Sequence, residues 1–97
     1  MPAYILLLHY TEQGMKNIQQ SPSRLDGVRK FFQEQGAQLK DFYLVTGQYD
    51  AVCICEAPND ETLARLVLSI GSKGNVRTET LRAFTEDEYR KIVVNLP

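Results

Sequence analysis

Asp41-Phe42-Tyr43-Leu44-Val45-Thr46-Gly47-Gln48-Tyr49-Asp50-Ala51-Val52-Cys53-Ile54-Cys55-Glu56 reads as two strands, residues 41–46 and 51–56, joined by the four-residue turn Gly47-Gln48-Tyr49-Asp50. Both strands are apolar at consecutive positions. A strand with water on one face alternates apolar and polar side chains, so unbroken apolar runs imply a sheet covered on both sides. That is an expectation about assembly as much as about folding.

Working outward, Tyr4-Ile5-Leu6-Leu7-Leu8-His9-Tyr10 is apolar on both parities until His9 and reads as a central strand. Thr11-Glu12-Gln13-Gly14 closes it, and residues 15–20 read as a short helical turn. A helix then starts with Ser21 as N-cap and Pro22 at the first helical position, where a missing N–H costs nothing. Leu25, Val28 and Phe32, with Phe31 alongside, form its apolar stripe; Arg24, Asp26, Arg29, Lys30 and Glu34 form its wet side, and Gly36 ends it. Ala57-Pro58-Asn59-Asp60 stops the sheet and caps a second helix, whose Leu63, Leu66, Val67 and Ile70 recur at helical spacing before Gly71 and Gly74. Residues 76–84 mix polar and apolar side chains, as an edge strand does, and are expected to be the least buried strand. Thr85-Glu86-Asp87-Glu88 is a capping box opening a final helix with Tyr89, Ile92 and Val93 as its apolar contacts.

The order β-α-β-β-α-β plus a C-terminal helix predicts an α+β, ferredoxin-like chain, with residues 1–97 forming one domain around a four-stranded antiparallel sheet. Its first and third strands are central in that topology, and these are the two runs with least charge. Two helices cover only one face of such a sheet. The other face is left apolar and open, and the simplest closure is a second copy packed sheet to sheet, a homo-oligomer of the dimeric α+β barrel type. About 800 Å² buried on each subunit suffices for a stable pair.

Composition narrows the partners. Eleven Lys and Arg against twelve Asp and Glu, with neither sign in a run, leave no footprint for a phosphate backbone, so direct nucleic-acid binding is not expected. The start, Met1-Pro2-Ala3-Tyr4, has no basic leader, and the apolar run from Ile5 to Leu8 is far too short for a membrane span; a cytoplasmic protein is expected. Cys53 and Cys55 are two apart in a strand, so their Cβ vectors run parallel, a poor geometry for a disulfide; they read as small buried residues in a reducing compartment. With a single histidine, His9, no closed metal site is expected, and no cofactor.

The run Leu44-Val45-Thr46-Gly47-Gln48-Tyr49-Asp50, with Tyr10-Thr11-Glu12-Gln13-Gly14, the helix start at Ser21, Pro22 and Arg24, Glu56-Ala57-Pro58-Asn59-Asp60-Glu61, and Gly74-Asn75-Val76-Arg77-Thr78-Glu79-Thr80-Leu81-Arg82-Ala83-Phe84, resembles the GYD family over nearly the whole chain. The resemblance implies a ferredoxin-like subunit of the dimeric α+β barrel type and brings no established activity. A looser similarity joins the turn and the Gly-x-Val-x-Thr strand to the effector-binding domains of the leucine-responsive/asparagine regulators, which bind amino acids between subunits. This chain lacks the helix-turn-helix that those regulators place ahead of that domain.

Candidate chemistry gathers around the turn. Asp50 reads either as a turn carboxylate accepting backbone N–H groups or as a ligand anchor or proton acceptor at the sheet rim. His9 ends the strand expected beside it, and an Asp–His pair would raise the imidazole pKa. Relatives of this architecture include cofactor-independent oxygenases, which makes His9 and Asp50 the catalytic candidates. Tyr49, Tyr10 and Arg24 join them as ligand-binding candidates, Arg24 through its match to carboxylates. Arg77 and Glu79, two apart on one face, are expected to make a cross-strand or subunit ion pair. Two functions follow: a non-catalytic oligomeric module holding a small anionic or amphipathic metabolite at the sheet rim or subunit interface, and, as the alternative, a cofactor-independent monooxygenase or isomerase acting on a small organic substrate.

Overall fold

The computed structural model describes residues 1–97. Four strands, β1 (Ala3–Tyr10), β2 (Gln38–Leu44), β3 (Ala51–Glu56) and β4 (Val76–Ala83), form one antiparallel sheet in the order β2-β3-β1-β4. The two strands of lowest charge are therefore central, and the chain has the ferredoxin-like βαββαβ topology. β4 holds no buried residue. No helix is long and apolar enough to cross a membrane.

The helices are α1 (Glu12–Lys16), α2 (Ser21–Glu34), α3 (Asp60–Ser72) and α4 (Glu86–Val94), with a 3-10 turn at Ile18–Gln20 ahead of α2. Asn59 caps α3 by accepting the Thr62 N–H, and Thr85 with Glu88 forms the reciprocal capping box of α4. The start of α2 differs from expectation by one residue. The 3-10 turn runs straight into the helix, so Ser21 is already helical and Gln20 takes the cap position without a side-chain bond. The expected turn over residues 15–20 likewise begins earlier: Thr11 ends β1 and caps α1, its Oγ1 accepting the Gly14 N–H at 3.0 Å.

The second strand also shifts. It begins at Gln38 rather than at residue 41 and stops at Leu44, with a register break between Leu39 and Asp41. That bulge puts one extra residue in β2 and turns its end away from a straight ladder. The connection to β3 is consequently six residues, Val45 to Asp50, and Gly47 sits within it at φ +122°, a backbone conformation that side chains disfavour.

Burial alternates along the two central strands. Tyr4, Leu6 and Leu8 of β1 and Ala51, Cys53 and Cys55 of β3 are buried, while Ile5, Leu7, Val52 and Ile54 between them are half-buried. The buried set faces the helices and packs with Phe32 of α2, Leu39 of β2, and Leu63 and Leu66 of α3. Burying a side chain such as Phe32 or Leu66 contributes about 1.5–3 kcal/mol. Tyr4 ties the start of β1 to the start of α3 by donating its hydroxyl to the Asp60 carboxylate, and burial together with that bond pushes the phenol up to about 12.

The other sheet face is uncovered. Ile5 pairs with Ile54 and Leu81, and Leu7 with Val52, so these side chains form one apolar field with Tyr43 at its edge. No segment of the chain folds over it. In particular α4 stands off the body of the molecule with Tyr89, Ile92 and Val93 exposed, where the sequence suggests apolar contacts for them. Its nine residues follow the edge strand, and the chain offers no surface beyond that strand to receive them. The radius of gyration is accordingly 14.6 Å, against about 13 Å for a compact chain of this length.

Candidate functional site

α2 packs over β2 and α3 over β4, which leaves a gap above the central strands. Small residues keep it open: Gly27 on α2, where an added methyl would meet nothing, Ser69 on α3 and Cys53 on β3. The result is a cavity of about 540 Å³ between helices and sheet. Its walls are Leu6, Leu8, Leu25, Val28, Phe31, Phe32, Leu39, Phe42 and Ile70; of its polar groups, Tyr10, Ser21, Arg24, Lys73 and Asn75 come from the end of β1, the start of α2 and the loop after α3, and Ser69 and Thr78 come from α3 and β4. No carboxylate lines it. A mostly apolar hollow with a few polar groups has the size and character of a small-molecule site.

Arg24 is the unusual member. Its Nη1 donates to the Asn17 carbonyl at 3.0 Å, whereas its Nη2 is buried with no hydrogen-bond partner. A buried donor left without a partner costs free energy, and it is the only side-chain atom in this condition. Close by, the Tyr10 hydroxyl and Ser21 Oγ lie 3.4 Å apart. Cys53 offers no reactive thiolate, because burial pushes its thiol up to about 11; Cys55, outside the cavity lining, is pushed up to about 12, and both thiols are free.

The Gly47–Asp50 turn lies outside the cavity lining but controls one of its walls. Asp50 Oδ2 accepts the Tyr10 N–H at 2.9 Å, the Asp50 N–H donates to the Leu8 carbonyl at 2.9 Å, and the Val45 N–H donates to the Asp50 carbonyl at 3.0 Å. Asp50 thus staples the end of β1 to the β2–β3 connection and fixes the backbone from which Tyr10 reaches the cavity. Tyr49 stacks against His9 with ring centroids 4.9 Å apart and donates its hydroxyl to Glu79 at 2.6 Å, a bond that raises the phenol pKa. Glu79 is therefore engaged by Tyr49, and no ion pair forms with Arg77 within the chain, contrary to the cross-strand expectation; Arg77 lies opposite His9 in the β1–β4 register.

Of the five residues singled out from sequence, Tyr10 and Arg24 line the cavity; His9 and Tyr49 lie at the end of β1 on the open sheet face, and Asp50 binds the Tyr10 amide from the β2–β3 connection. No hydrogen bond or ion pair joins His9 to Asp50. Lys73 and Asn75 had escaped notice. Their only signal was a position next to Gly74, at the end of an amphipathic helix, which marks a loop and says nothing of what it borders.

The polar end of the cavity is fastened through the carbonyls of the loop after α3. The Thr11 N–H donates to the Asn75 carbonyl at 3.0 Å, Thr11 Oγ1 to the Gly74 carbonyl at 2.5 Å, and Gln13 Nε2 to the Lys73 carbonyl at 3.0 Å. Gly14 lies so close beneath this loop that a methyl group there would collide with the Asn75 carbonyl.

Known proteins share these features to different degrees. The chain is 34% identical over 84 residues to the glutamine synthetase and cystathionine beta-lyase binding protein of Thermus thermophilus, covering 86% of this chain and 88% of that one. A crystal structure of a Thermus thermophilus protein matches at 29% identity and a TM-score of 0.56, over 88% of this chain and 95% of that one. The feast or famine regulatory protein of M. tuberculosis, solved with L-methionine, matches at 19% identity and a TM-score of 0.63 over 90% of this chain and 54% of that one, which shows a shared fold. The GYD domain model matches residues 4–93, spanning both the stapling turn and the cavity, and the chain belongs to the GYD family.

Proposed function

We propose that this chain is a non-catalytic, self-associating module that takes a small metabolite into the helix–sheet cavity. The observation that carries the reading is the cavity itself: about 540 Å³, apolar along its walls and polar at one end, beside a core of twelve buried residues. Against the enzyme alternative stand the engagements of its candidates. The Asp50 carboxylate is held by the Tyr10 amide, the His9 ring is stacked on Tyr49, and neither residue lines the cavity.

Self-association is supported by the field of Ile5, Leu7, Val52, Ile54 and Leu81, which a second copy would cover by packing sheet to sheet. The exposed apolar residues of α4 would join that contact from the partner's side. A pair formed in this way leaves the cavities free, since they lie on the opposite face of each sheet. The printed name of the Thermus thermophilus relative supports an enzyme as a further client of the assembled module. Two buried, unpaired cysteines support a reducing compartment such as the cytoplasm.

A thermal-shift screen with amino acids, aromatic acids and short aliphatic compounds tests the binding reading, because any ligand that binds only the native state raises the melting temperature. Flat melting across such a library would count against it. Sedimentation equilibrium tests the pairing: a single-chain mass at micromolar concentration would remove the sheet-to-sheet contact.

A further inference from the structure

We propose that the metabolite is an uncharged molecule with an apolar body and a single oxygen, the oxygen held by the hydroxyls of Tyr10 and Ser21 and the body lying along Leu25, Val28 and Phe31. The inference rests on the binding reading above and goes on to name the ligand class. Three observations carry it. The Tyr10 hydroxyl and Ser21 Oγ stand 3.4 Å apart, both residues line the cavity, and neither hydroxyl has a second partner in the chain. Arg24 is closed to a guest, because its Nη1 is held by the Asn17 carbonyl and its Nη2 is buried and presents no surface. The rest of the lining is dominated by aliphatic and aromatic side chains and contains no carboxylate.

The head group follows from a count of protons. Two hydroxyls joined by one hydrogen bond own two protons and share one, so whichever of them donates, one O–H stays uncommitted. An alcohol, phenol or ketone oxygen accepts that proton, and an alcohol or phenol returns its own to the free lone pairs of the same two oxygens. Asn75 and Thr78, also in the lining, are neutral as well. A charged head is disfavoured on both signs. An ammonium would meet no acidic group, and a carboxylate would give up its hydration to apolar walls. Lys73 does not change this balance, because the residue is exposed and an ion pair formed there in water contributes little.

The test compares naphthalene, 2-naphthol and 2-naphthoate, which share a body and differ in the head group, by fluorescence titration against the full chain at pH 7. 2-Naphthol should bind about two- to tenfold more tightly than naphthalene, the range for one neutral hydrogen bond. 2-Naphthoate, charged at that pH, should bind at least about tenfold more weakly than 2-naphthol, since its carboxylate loses water without gaining a buried partner. In the Tyr10→Phe, Ser21→Ala variant naphthalene should bind as before and the advantage of 2-naphthol should vanish; an undiminished advantage would overturn the seat assigned to the oxygen. Naphthalene binding as tightly as 2-naphthol, or 2-naphthoate binding more tightly, would overturn the inference and leave the cavity reading intact; binding of none of the three would overturn both. Should the variant fail to fold, proton–proton contacts in the native chain decide: 2-naphthol should show them to the Tyr10 ring and the Ser21 methylene, and their absence sinks the proposal.

Discussion

The two faces of the sheet are built from the same strands and end in different states. On the helix side, Leu6, Leu8, Cys53 and Cys55 are closed over by α2 and α3; on the other, Ile5, Leu7, Val52 and Ile54 are no less apolar and nothing in the chain covers them. Since successive residues of a strand point to opposite faces, one run of sequence serves both. The difference teaches that apolar residues on the two faces do separate jobs: the covered set holds the fold together, and the open set is free to serve association.

The largest effect should come from truncating the covered face. Phe32→Ala removes a fully buried ring and should cost about 3–5 kcal/mol in urea denaturation. Ile54→Ala on the open face should cost much less in a dilute single subunit and show itself in self-association. Similar losses from the two would erase the distinction between the faces.

The cysteine part of an alkaline titration reports on the covered face. The folded thiols of Cys53 and Cys55 are raised by burial to about 11 and about 12, above their ordinary value of 9.0. Above pH 9 the unfolded chain loses these protons first, so stability is fully present below that pH and falls as pH rises toward 11 to 12. Equilibrium unfolding of the native chain and of a Cys53→Ala, Cys55→Ala variant between pH 8 and pH 11 should show the alkaline slope reduced in the variant.

Asp50 lies where the β2–β3 connection meets β1, and its loss should sit between these extremes. Asp50→Ala leaves the Tyr10 N–H without its acceptor and should cost about 1–3 kcal/mol by the same denaturation measurement. Amide exchange at Tyr10 should speed up more than at Leu6; uniform exchange along β1 would deny the turn its stapling role. The smallest effect has the opposite sign. Gly27→Ala adds a methyl group to open space inside a helix and should stabilise by about 0.5–1 kcal/mol, read as a higher urea midpoint.

Much of this architecture was legible in the chain. Apolar runs set β1 and β3 at the centre of the sheet, and the capping signatures at Asn59 and Thr85 marked the starts of α3 and α4. The errors have local causes: a 3-10 turn that makes Ser21 helical, and a bulge that shifts β2. The isolation of α4 could not be read, because periodicity gives the direction of an apolar face and not the presence of something to meet it. The cavity was hidden for a related reason. It arises from the separation of α2 and α3, and its signals, Gly27, Ser69 and Cys53, are small residues that would look the same in a tightly packed core. Arg24 and Tyr10 were visible as polar groups near an expected rim; that Arg24 keeps a buried unpaired nitrogen is a fact of three-dimensional placement.

The crowding of Gly14 against Asn75 bears on how the polar end of the cavity can change over generations. The loop after α3 is held through its own carbonyls, so replacing the side chain of Lys73 alters the chemistry displayed there without removing a bond that holds the loop, whereas replacing Asn75 also removes the acceptor of a Gln13 Nε2 bond.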